Sequence, residues 1–427
     1  MLNKEVNCLR RRDEDDIECV CSAIVVCMLT RAGVMLLNKE KRRSRRWCRE
    51  WIHRRIRGRG VVNMLNQELR SEDPNSYKNF LRLSVHQFNF LLNLLDEDIR
   101  KEVTFMREPI STTDKLQITL RFLATGESYR SLMYSTRVHE STISRFVPLV
   151  CTAIIQHLSP KYLKTPDTEE EWKKIAQEFY DLWNFPHCIG ALDGRHINFR
   201  PPISDGAYYY NYKGTHSIVL LALCDAKYRF TYVNLGVNGR VSDGGIFHRS
   251  SLARALNNNS LNIPPPDFLP GTRNTAPYVI VADDAFPLLI NLMKPYPQRG
   301  LCHDTRIFNY RLSRARRMIE NSFGMLANRF RVLLNPINLC VNKVQIITHA
   351  CVVLHNYLCH ENDPVYNNGN IFTEETSVPL YLETLCRQGS NNSSNSARDI
   401  RNNYKMYFNS PEGAVAWQED SVKTHNL

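Results

Sequence analysis

Three carboxylates, far apart in the chain, have the types and spacing to do chemistry together. Asp193 closes the apolar run "CIGALD" and is followed by glycine. Asp283 closes "YVIVAD", and Glu320 stands in "RLSRARRMIENSFGMLANRF". A buried strand that runs into a negative charge needs a cation to meet it, because an isolated charge in apolar surroundings is very costly. Three hard oxygen donors with open positions suit Mg2+ or Mn2+. Two such ions about 4 Å apart would stabilise the attacking and the leaving oxygen of a phosphodiester displacement. Bare carboxylates that close would repel, and one would take up a proton. Each acid alone also has a plainer reading, as a turn or cap residue for Asp193 and Asp283 and as a partner of an arginine for Glu320. Their joint arrangement is what points to a metal.

The surrounding sequence must place these groups. "HCIGALDGRHINFR", the two runs of "HSIVLLALCDAKYRFTYVNLGV" around a turn at Asp225–Lys227, and "PYVIVADDA" read as strands. The segment 306–333 reads as a helix, with Leu312, Ala315, Ile319, Phe323, Leu326 and Phe330 as its apolar stripe. Glu320 borders that stripe, one turn from Arg316 and Arg317. Strands alternating with helices give an α/β domain over residues 185–362, and ligands gather at strand carboxyl ends in such sheets. Upstream, residues 75–184 read as all helical. Asn79–Ile99 forms one amphipathic helix. Helices follow over Lys115–Ala124, closed by Thr125-Gly126, over Ser128–Tyr134, and after "VHEST", with Glu140, Ser141 or Thr142 as N-cap. This spacing resembles a helix-turn-helix whose last helix projects Ser141, Thr142, Ser144 and Arg145. An ordinary helical hairpin explains it equally well. Pro186 stops a strong helix that starts at Glu169. Residues 363–427 form a tail with an Asn/Ser-rich linker, Gln388–Ser396, and a closing apolar patch.

Bulk properties narrow the function. The 427 residues carry 55 basic against 43 acidic side chains, a net +12, which suits a polyanionic partner. Residues 1–74 hold a basic, partly helical arm. Between Lys41 and Arg59 there are ten Lys/Arg and one acid. Arg42, Arg43, Arg45 and Arg46 are candidates for phosphate contact or for a nuclear import signal. A solvated basic helix packed through Trp47, Trp51 and Ile56 is the plainer account. Thirteen cysteines without C-x-x-C spacing read as reduced thiols of the nucleus or cytosol. The apolar run Cys19–Thr30 is too short to span a bilayer and reads as a packed helix. Cys351, His355 and Cys359 share a helical face that could hold Zn2+ with His360 or Cys340, although a buried, hydrogen-bonded His355 accounts for the same pattern. No phosphate-binding P-loop and no G-x-S-x-G is present.

The order Asp193, Asp283, Glu320 resembles the DDE arrangement of RNase H-like transposase nucleases. Narrower words agree. "CIGALDGRHINFRPP", "YYYNYKGTHSIVLLALCDAKYRF", "GRVSDGGIFHRSSL", "VADDAFPLLINLMKPYP", "FNYRLSRARRMIENSFGMLANRFRVL" and "LHNYL" resemble the PIF/Harbinger transposases and the Harbinger transposase-derived nucleases. The resemblance implies an RNase H-like core, a mixed sheet flanked by helices, preceded by the helical region. It implies a DDE-type nuclease that hydrolyses DNA phosphodiester bonds with a divalent cation, Mg2+ or Mn2+. Asp193, Asp283 and Glu320 take the places of the family's three acids, as catalytic residues and metal ligands. Ala282 stands where the family usually has glycine, and Asp284 where it often has a further acid. Asp243, in "GRVSDGG", is the rival for second acid; Asp283 is favoured because it ends a strand. Candidate nucleic-acid contacts are Arg42, Arg43, Arg45, Arg46, Arg145, Lys213, Arg240, Arg316 and Arg317. His196 has a structural role or a phosphate-facing one. DNA is the implied partner, with a separate Myb-like protein, and the nucleus, with or without the cytoplasm, is the implied location. The alternative is a DNA- or protein-binding factor that keeps the fold and no longer cuts.

Overall fold

The computed structural model describes residues 19–34, 49–54, 60–102, 109–202, 205–241, 243–361, 382–384 and 393–420. The chain divides into two compact units, residues 1–58 and 59–427. In the first unit residues 19–34 are helical. The expected packing is not seen there: Val20, Val26, Met28 and Leu29 are all more than half exposed. No described helix is long and apolar enough to cross a membrane. Arg42, Arg43, Arg45 and Arg46 lie outside the described residues.

The second unit begins with helices α1 (Val61–Glu72), α2 (Pro74–Leu81) and α3 (Val85–Ile99). The single helix expected over Asn79–Ile99 is two. Arg82 adopts a left-handed conformation, with φ 66°, and Ser84 restarts the helix through a capping box with Gln87. Then come α4 (Thr112–Thr125), α5 (Tyr129–Thr136) and α6 (Glu140–Tyr162). Gly126 closes α4 in the left-handed region. The cap of α6 is His139, whose side chain accepts from the Ser141 N–H, rather than Glu140, Ser141 or Thr142. Helix α7 (Glu169–Trp183) ends at left-handed Asn184, two residues before Pro186.

The sheet contains β1 (Cys188–Asn198), β2 (Ser217–Cys224), β3 (Phe230–Asn238), β4 (Val279–Val281) and β5 (Leu292–Met293). Among the described residues their order is β3-β2-β1-β4-β5, and β6 (Glu383–Thr384) pairs with the end of β1. β1–β2 and β2–β3 are antiparallel, whereas β4 and β5 run parallel to β1. Helices α8 (Asp243–Arg249) and α9 (Ser251–Asn257) link β3 to β4. Helices α10 (His303–Arg329) and α11 (Val341–His360) follow β5, and α12 (Asn395–Phe408) is last. The fold is thus mixed α/β, with a mixed sheet flanked by helices.

Burial explains the assembly. Every residue of β2 is buried, as is β1 up to Ile197, because helices cover the sheet. The apolar stripe of α10 is buried from Leu312 to Phe330 and packs on the sheet. The C-terminal end of the expected linker is helical, with Ser394 capping α12. The apolar patch beyond it docks on α10. Arg311, 1% exposed, donates to the Gly413 carbonyl at 3.1 Å and Gln418 Oε1 at 2.9 Å, and lies over the Phe408 ring.

Candidate active site

Asp193 does not end its strand. β1 runs through Gly194 to Asn198, because antiparallel pairing with β2 continues to Ser217. Asp283 does follow the end of its strand. In the parallel β1–β4 ladder Ala191 stands opposite Val281. Two residues further along each chain come Asp193 and Asp283, at the same level and, by the two-residue repeat, on the same side. The third acid comes from α10, which packs against β1, β2 and β4.

The electrostatics record this convergence. Burial raises the Asp193 carboxyl; Arg195, Arg316 and the Gly194 N–H oppose the rise, and Glu320 adds to it. Asp283 is pushed up to about 6 by burial and by the Asp193 charge, against the Ala285 N–H and Arg316. Arg316 lies among all three acids. Burial works against its charge, and Glu320, Asp193 and Asp283 together hold its pKa above the usual value. Its guanidinium meets Glu320 Oε1 at 2.7 Å, one helical turn away. Arg195, 5% exposed, meets Asp193 Oδ2 at 3.0 Å and lies over the Phe323 ring. Asp283 Oδ1 accepts from the Ala285 N–H at 2.9 Å. A cavity of about 150 Å³ opens beside Asp283 and Arg316, lined also by Asp284, Gln298, Arg306 and Tyr310. A larger cavity of about 650 Å³, between Gly126–Arg130 and Asn335–Leu339, touches none of the three acids.

The donor chemistry fits a hard divalent cation. Two register-matched carboxylates, Asp193 buried and Asp283 half-buried, repel each other, and a cation would relieve that repulsion. As the side chains stand, two guanidinium groups balance the acids, and no group of three metal-ligating residues is formed among the described residues.

The other sequence candidates lie apart. Arg317 is exposed on α10, and Arg145 is exposed on α6. Thr142 is half-buried there and Ser141 exposed, while Ser144 Oγ accepts from Lys343 Nζ of α11 at 3.1 Å. Lys213 and Arg240 are exposed near the Asn198 end of β1. His196 is buried, with Nδ1 2.8 Å from Ser217 Oγ, which is a structural bond. The start of α8, where Asp243 stands, comes close to the acid loop: a methyl group on Gly244 would sit 3.4 Å from the Ala285 carbonyl. His355 is buried, with Nε2 2.8 Å from the Tyr228 carbonyl, a bond a zinc ligand could not make with the same atom. Sequence reasoning passed over Arg195. Its signal was available: in a strand read through Gly194, it shares the side of Asp193.

Comparisons with known proteins agree with this architecture. Residues 192–356 match the family model described as DDE superfamily endonuclease. The chain is 26% identical over 310 residues to "Protein ALP1-like" of Arabidopsis thaliana, covering 69% of this chain and 73% of that one. It is 25% identical over 301 residues to "Putative nuclease HARBI1" of Xenopus laevis, covering 70% and 82%. Its match to the human protein of that name is 25% identical over 270 residues, 62% of this chain and 72% of the relative. No solved structure matches the chain.

Proposed function

Because the chain carries a DDE superfamily endonuclease domain and is related to the Harbinger transposase-derived nucleases, we propose that it hydrolyses DNA phosphodiester bonds through Asp193, Asp283 and Glu320. The observation that carries this reading is the β1–β4 register, which brings Asp193 level with Asp283 beneath the helix that bears Glu320. The sheet order β3-β2-β1-β4-β5, antiparallel then parallel, supports an RNase H-like core. The succession α4, α5, α6 supports a helix-turn-helix-like region ahead of it.

In this mechanism Asp193, Asp283 and Glu320 would hold Mg2+ or Mn2+. The bound cation supplies Lewis-acid activation of water and neutralises charge on the leaving oxygen. Arg195 fixes the Asp193 carboxylate in orientation. Arg316 restrains Glu320 and, with Arg306, presents positive charge to the cavity where a scissile phosphate would enter. The basic segment from Lys41 to Arg59 supports DNA binding and nuclear import. The family resemblance supports action beside a Myb-like protein.

A supercoiled-plasmid assay tests the reading. Nicking should require Mg2+ or Mn2+, stop with EDTA, and vanish in Asp193→Asn. Nicking that persists in that variant at close to the wild-type rate would refute the assignment. One observation favours a second reading, a DNA- or protein-binding factor that no longer cuts: both Asp193 and Glu320 already have arginine partners. DNA binding without nicking under any of these cations would select it.

A further inference from the structure

The Asn198 end of β1, opposite in character to the acid site, carries three tyrosines in a segment of five residues. Tyr208, Tyr210 and Tyr212 are 61%, 52% and 55% exposed. Large aromatic side chains concentrated on one loop mark a binding surface more often than isolated ones do. What lies beneath them is rigid. Asn211 is 2% exposed and organises the turn: its Oδ1 accepts from the Lys213 and Thr215 N–H groups at 3.0 and 3.1 Å, and its Nδ2 donates to Ser217 Oγ at 2.8 Å. Ser217 in turn meets His196 of β1. Gly214, at φ 78°, completes the turn. Tyr209, between two exposed neighbours, packs edge-on against Phe199. The loop is therefore tied to the sheet from below and presents aromatic rings outward.

Positive charge borders those rings. Lys213 Nζ lies 5.8 Å from the centre of the Tyr212 ring. Gly239 donates to the Ser217 carbonyl at 2.9 Å, and a methyl group on it would sit 3.2 Å from His196 Nδ1. That close approach brings the next residue, exposed Arg240, to the same end of the sheet. The two cations and three rings have the chemistry of a surface for a nucleic-acid strand, with phosphates at the cations and bases on the rings. Stacking of this kind needs unpaired bases, because a duplex keeps its base faces covered.

The geometry points to a stacking platform at Tyr208, Tyr210 and Tyr212, flanked by Lys213 and Arg240, that holds unpaired bases of DNA beside the cut. This rests on the nuclease reading above. The strand sets the distance between this end of the sheet and the acids. Five strand residues from Asp193 to Asn198 span about 17 Å. The platform thus serves flanking nucleotides and not the scissile one.

Fluorescence anisotropy on the full chain in EDTA separates binding from cutting. One labelled probe is a blunt DNA duplex; the other is the same duplex with a single-stranded overhang. Replacing Tyr208, Tyr210 and Tyr212 together by alanine should weaken overhang binding about tenfold or more and blunt-duplex binding by less than about twofold. Replacing them by phenylalanine should preserve both. Unchanged overhang binding in the alanine variant overturns the platform, as does an equal loss on the two probes. Should the triple variant melt early, Tyr212→Ala alone should still lower overhang binding about threefold or more, and no change there is equally decisive. Wild-type chain that binds neither probe overturns the nuclease reading itself, a result distinct from binding that ignores the tyrosines.

Discussion

The two ends of β1 solve opposite problems with the same strand. Around Asp193 the side chains are buried or half-buried, charged and matched with one another: Asp193 on β1, Asp283 just past β4, Glu320 on α10, and the guanidiniums of Arg195 and Arg316 beside them. Around Asn198 the buried groups, His196, Asn211 and Ser217, are neutral, and the exposed ones include Tyr208, Tyr210, Tyr212, Lys213 and Arg240 together with Asp205. His196 there is held neutral, its pKa lowered to about 4 by burial and by Lys213. The difference teaches where each kind of work belongs. Charge that must act at close range is kept out of water, where its field is strong. Rings that must meet a variable partner are left in water, and only their anchor is buried.

The comparison breaks most sharply at the acids. Asp193→Asn should lower the nicking rate about a thousandfold or more if, as proposed, Asp193 is a principal ligand of the cation; a rate within tenfold of wild type would remove the acid end from the mechanism. The next effect is on Arg316. If it is the counter-charge for three acids, Arg316→Met should destabilise the metal-free protein by about 2 kcal/mol, measured by urea unfolding. It should also enlarge the rise in melting temperature produced by Mn2+, as the acids lose an internal competitor. A variant with wild-type stability and an unchanged Mn2+ response would show that Arg316 is a bystander.

At the other end, pH is the lever. His196 has a folded-state pKa of about 4 against 6.5 for an ordinary histidine. The unfolded chain therefore binds the extra proton first, and stability falls as pH drops from about 6.5 toward about 4. His196→Gln should flatten that fall by about 2 kcal/mol relative to wild type. His355, also lowered to about 4 by burial, should continue to contribute in both proteins. An identical pH profile in the variant would show that His196 is not held neutral. The smallest effects concern salt. Neutralising Arg42, Arg43, Arg45 and Arg46 should reduce the slope of log affinity against log salt by about three, and Lys213 with Arg240 by one to about two. A slope that stays constant would mean that these cations do not meet phosphate.

Much of this was legible in residue order. Short-range chemistry determined the helices of 112–183, because caps such as Ser111, Ser128 and Thr168 and stops such as Gly126 and Asn184 act within a few residues. The stripe of α10 is a local pattern as well, and it placed Glu320 at the margin of the buried face. The break at Arg82 escaped notice, since a left-handed arginine leaves no trace in an apolar period. The anchoring role of Arg311 was equally hidden, because its partners, Gly413 and Gln418, come from more than a hundred residues away.

By itself the sequence determined which residues can carry charge, which segments are helix or strand, and that three acids recur in a recognisable order. Tertiary structure alone decided that Asp193 stands level with Asp283, that Arg316 sits among all three acids, and that Gly239 brings Arg240 to the tyrosine loop. The reason is physical. Propensities and caps act over a few bonds, whereas strand register and the field between buried charges depend on which distant segments the core brings side by side.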